Sequence, residues 1–161
     1  MLTVTKKSVK AGKFVDTQHV DNLIKNYKQT RWAANSERIG KEDSLSVWYS
    51  IEEIEEFLAV AKANNADGVK MFFGAYSPDY TEVEGYAERQ TLVMVATKQN
   101  TTGQGVTNKN VYVNTENGTN ILAYNRGGIC PPNCMKPIEE IGFDEIGITI
   151  VDRGQNGMVI V

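Results

Sequence analysis

The sequence predicts an α+β fold: two main helices packed on one face of a mostly antiparallel sheet, in a single domain. Three observations carry that expectation. A capped amphipathic helix spans 51–64, a strand pattern comes after it at 69–75, and a second, strongly apolar strand pattern runs over 91–97.

In chain order, residues 1–15 form a basic N-terminal segment with no definite order and a short β-prone stretch at 2–5. The rest, 16–161, reads as one α+β domain. Asp16 or Thr17 can cap a first helix, because a short polar side chain there accepts a hydrogen bond from an orphan amide of the first turn. Val20, Leu23, Ile24, Tyr27 and Ala34 then recur at helical spacing and predict one apolar stripe. The helix should fray between Ser36 and Gly40.

Residues 45–49 are short and β-prone. As a strand they would form a right-handed βαβ unit with the next helix and strand. Ser50 and Glu53 are spaced as a capping box, with Tyr49 and Ile54 at the staple positions. Glu52, Glu53, Glu55 and Glu56 crowd the positive end of that helix, and Lys62 sits at its negative end. Ile51, Ile54, Leu58 and Ala61, widened by Phe57, give its buried stripe. Gly68 is expected to supply the positive φ that ends the helix.

In the strand at 69–75, Val69, Met71 and Phe73 share one face. Phe72 stands on the other between Lys70 and Gly74, which suggests that this face is partly covered as well. An acidic, turn-rich connection leads to 91–97, the expected antiparallel partner. Residues 100–108 read as a flexible loop, 111–113 and 121–124 as a hairpin-like pair, and 125–134 as a loop that holds no regular element. Alternation at 146–151, with 158–161 pairing back, closes the chain.

A length of 161 residues suffices to bury a core without staples. Net charge is −3, but residues 1–31 hold seven Lys or Arg against two Asp, a balance of +5 that leaves −8 for the remainder. The basic end could meet a polyanion, yet a solvated helix face and tail accounts for it, so neither a nucleic acid nor a membrane is expected as partner. No apolar run has the length of a membrane span, and no secretory signal stands at the N-terminus. A cytoplasmic location is the resulting expectation.

Chemistry-bearing residues are few. Cys130 and Cys134 are the only cysteines, spaced C-x3-C around Pro131 and Pro132, with Arg126 as a nearby cation. That spacing is wrong for a thioredoxin-type pair, which needs C-x-x-C at a helix N-terminus. Zinc usually takes four Cys or His ligands, and the chain adds only His19 to the two cysteines. In a reducing cytoplasm the pair is expected as two free thiols on a Pro-shaped turn, meeting only if the chain reverses at Asn133; a local disulfide closing a very small loop, with a modest entropic contribution, is the geometrically possible alternative. The glycine-rich stretches at 103–105 and 126–128 lack the spacing of a nucleotide fingerprint. Trp32, Trp48, Tyr49 and Tyr76 fit packing at least as well as an aromatic binding surface.

No catalytic constellation is visible and no cofactor is expected. The leading expectation is a small non-catalytic binding or self-assembly domain with a protein partner or a second copy. The competing expectation is a thiol- or metal-dependent protein centred on the Cys130/Cys134 loop, with Arg126, Cys130 and Cys134 as its site residues.

Overall fold

The computed structural model describes residues 10–134, 150–152 and 158–160. The stretch at 2–5 and residues 146–149 of the C-terminal strand pattern lie outside them. The chain is a mixed α+β protein with several antiparallel strands. It divides into two compact units. Among the described residues, one gathers Tyr49–Gly74 and Leu92–Gly127; the other gathers Lys13–Trp48, Ala75–Thr91, 128–134, 150–152 and 158–160.

The first unit is built on α3 (Ile51–Ala63) and on strands β2 (Gly68–Ala75), β3 (Gln90–Thr102), β4 (Gly105–Asn110), β5 (Tyr112–Thr115), β6 (Gly118–Ile121) and β7 (Ala123–Tyr124). The capping box forms as expected. Ser50 Oγ accepts from Glu53 N, and Glu53 Oε2 accepts from Ser50 N at 2.8 Å. The helix stops through Asn65 at φ 61°, not through Gly68. Gly68 instead opens β2, where a Cβ would stand 3.1 Å from Thr97 Oγ1, so close approach explains the glycine.

Phe57 and Ala61 of α3 are buried against Met94 and Ala96 of β3, with Tyr49, Val69, Val111, Leu122 and Tyr124 around them. The expected stripe is therefore rotated. Phe57 and Ala61 are buried, Ile54 and Leu58 half-buried, and Ile51 exposed. β3 is the spine: β2 and β4 pair with it, and β7 pairs with it at Met94 and Val95. Ala96 N donates to Leu122 O and Val111 N to Ala96 O, which locks the chain after β4 and β6 onto the same strand. The stretch expected as a flexible loop is the tip of a long β3–β4 hairpin, registered from Thr97↔Asn110 to Thr102↔Gly105. Backbone pairing outweighs its weak apolar pattern there. β5 and β6 form the expected hairpin around Glu116 and Asn117, turning on Gly118 at φ 107°.

The second unit holds α1 (Thr17–Tyr27), a π-helical turn over Lys28–Trp32 and α2 (Ala33–Ile39), then β1 (Ser46–Trp48) and β8 (Gly128–Cys130). Asp16 Oδ1 caps α1 by accepting from His19 N at 2.8 Å, and Gly40 ends α2 at φ 70°. The predicted stripe does not continue through the helix. Ala33 N reaches back five residues to Lys28 O. The extra residue rotates the face of α2 by about 100° relative to α1. Ala34 therefore faces solvent, while Lys28 is 1% exposed, its ammonium 5.5 Å from the centre of the Trp32 ring.

β1 does pair, but with β8 in an antiparallel two-stranded sheet, from Ser46↔Cys130 to Trp48↔Gly128. It is not the first strand of a βαβ unit. The loop expected at 125–134 thus contributes a strand. At the C-terminus β9 (Ile150–Asp152) and β10 (Met158–Ile160) pair antiparallel.

α3 meets β3 in the first unit, and α1 and α2 belong to the second. No helix among the described residues is long and apolar enough to cross a membrane.

Candidate functional site

The cysteine loop departs most from expectation. Cys130 and Cys134 form a disulfide, so the expected pair of free thiols is corrected. The reversal does not use Asn133, which has no positive φ; both Cys130–Pro131 and Pro131–Pro132 are cis instead. Tyr86, 3% exposed, anchors the loop, its hydroxyl accepting from Asn133 Nδ2 at 2.9 Å and from Ile129 N at 3.3 Å. Leu45 N donates to Cys130 O at 2.6 Å, and Gly85 lies where a Cβ would meet Pro132 at 3.1 Å. A disulfide offers no thiolate to a metal, and metal binding needs the thiolate. Among the described residues no group of three or more His, Cys, Asp or Glu is placed to hold a metal ion.

Arg126 belongs to the first unit and the two cysteines to the second. It is exposed and adopts a left-handed backbone at φ 73°. His19 stands exposed in the first turn of α1.

The other polar features are structural. Buried Asp43 is a junction: Oδ1 accepts from Ser44 N at 2.8 Å and Gln90 N at 2.7 Å, its amide donates to Ser36 Oγ, and its carbonyl accepts from Trp32 Nε1. Tyr27 donates to Gln90 Oε1, and burial, with the Asp43 charge second to it, raises its phenol above the ordinary range. The carboxyl of Glu53 is held below its usual range, chiefly by the Ser50 amide, and also accepts from Tyr124 Oη at 3.1 Å. Tyr49 packs on Tyr124, Tyr76 packs on Tyr80 and Tyr86, and Trp32 is tied to Asp43.

What stands out is β2. Met71, Phe72 and Phe73 are 62%, 45% and 82% exposed, three large apolar side chains in succession. Alternation puts Met71 and Phe73 on one face and Phe72 on the other. The second face is partly covered, as the pattern suggested, with Phe72 at 45% the least exposed of the three. β2 ends the β2–β3–β4 order, so among the described residues no strand pairs with its outer edge. Natural edges are usually guarded by charge, proline or a bulge. The single charge here, Lys70, reaches across β3, its Nζ donating to Asn108 O of β4 at 2.8 Å. The edge is left apolar. No sequence signal separates it from a central strand, because three apolar residues in a row read the same way in both.

No protein-family model, curated protein or solved structure matches the chain.

Proposed function

We propose that this chain is a non-catalytic interaction domain that binds by strand addition along the outer edge of β2. A single observation supports the reading: Met71, Phe72 and Phe73 stand exposed together on an edge strand of the sheet. An unpaired edge supplies a row of backbone donors and acceptors, which give affinity to any extended polypeptide, while side chains above and below the edge give selectivity.

Random peptides displayed in a library and selected on the purified protein provide the test. Recovered peptides should be extended, with alternating apolar residues. They should slow hydrogen exchange in Gly68–Ala75 and lose binding to Phe73→Lys. Peptides whose footprint avoids β2, or whose binding survives Phe73→Lys, overturn the reading.

A further inference from the structure

We infer that the strand received by β2 is the β2 of a second copy, giving a two-fold symmetric, antiparallel dimer centred on Phe72. The inference rests on the strand-addition reading above and goes further by naming the occupant.

A two-fold axis through an antiparallel pair makes one residue face itself, and every contact is then made twice. With Phe72 on the axis, Met71 faces Phe73 and Lys70 faces Gly74. Phe72 meets its own copy on one face, and the thioether of Met71 meets an aromatic ring on the other, both favourable cross-strand pairs.

Charge is compatible with the same register. Like charges placed directly opposite would oppose such a dimer. Here the two Lys70 residues stand about 14 Å apart along the strands, beyond the Debye length of ~8 Å at physiological salt. Each is already drawn inward to Asn108 O of its own sheet. Gly74 offers no side chain to clash with the stem of the partner's lysine.

Area sets the strength. Met71, Phe72 and Phe73, at their observed exposures, leave on the order of 400 Å² per copy to be covered. Two copies together cover about 800 Å², short of the ~1,200 Å² at which standard stable interfaces begin. The dimer is therefore reversible and concentration-dependent.

Sedimentation velocity on the full chain, from low micromolar to millimolar concentration, should show a monomer giving way to a dimer. Hydrogen exchange in Gly68–Ala75 should slow over the same range. Phe72→Lys places two ammonium groups across the axis and should weaken the dimer at least about tenfold. Tyr112→Lys, on an exposed residue of β5, should leave it unchanged. Phe72→Cys should cross-link to its own copy on mild oxidation, and circular dichroism checks that each variant is folded. A monomer at every concentration overturns the inference, as does a dimer indifferent to Phe72→Lys. If the chain stays monomeric while library peptides still protect β2, the self-pairing fails and the strand-addition reading stands.

Discussion

Asp43 shows how much one buried side chain can hold. Its carboxylate serves the amides of Ser44 and Gln90, and both lose their acceptor in Asp43→Ala. Each buried amide so stranded costs about 1–3 kcal/mol. The variant should therefore lose about 2–6 kcal/mol in a urea titration, and Asp43→Asn, which keeps an acceptor, much less. Glu53 carries the pH dependence. Its folded-state pKa lies below the unfolded value, so the stability it adds is present above the ordinary glutamate range and is lost as pH falls through the folded value. The gap in denaturant midpoint between wild type and Glu53→Ala should be widest at about pH 7 and narrow as pH falls below the ordinary glutamate range. A gap that stays constant would mean that the carboxylate adds nothing. Cys130 and Cys134 should yield no titratable thiol in denaturant until reductant is added. Thiols that titrate without reductant would contradict the bond.

Among the elements, α3 and β3 were legible because local signals agree there. The Ser50–Glu53 box fixes where the helix starts, and the apolar run before Thr97 has no competing use. What periodicity alone could not settle is which flank of the α3 stripe faces inward; packing selects Phe57 over Leu58. Phe57→Ala should thus cost about 3–5 kcal/mol, and half-buried Leu58→Ala clearly less; the reverse order would place the stripe as the sequence suggested. The π-helical turn was invisible because an added residue leaves composition intact and only shifts the phase of the residues after it. β4 was missed because a ladder needs backbone partners, not apolar side chains, and 105–110 offers Thr, Asn and Lys to solvent. Met94–Thr97, buried and paired on β3, should hold the slowest-exchanging amides of the chain. Rapid exchange there would remove β3 from the centre of its sheet.

For the whole molecule, the α+β class was legible. Helix and strand content comes from local pattern, whereas long-range pairings such as β1 with β8, eighty residues or more apart in sequence, leave no local signal. The candidate surface lay equally beyond reach: the cysteine loop drew attention by composition, while β2 gained significance only from its place at an edge. If β2 is a binding edge, Phe73, 82% exposed, serves binding and not folding. The decisive measurement is the unfolding free energy of Phe73→Ser, taken in dilute solution where any dimer has dissociated. An exposed side chain away from special contacts changes stability by about 0.5 kcal/mol, so the expected loss is no more than ~1 kcal/mol, with an unchanged dependence on denaturant. A loss of several kcal/mol, the signature of emptied core positions, would contradict a binding role for this edge.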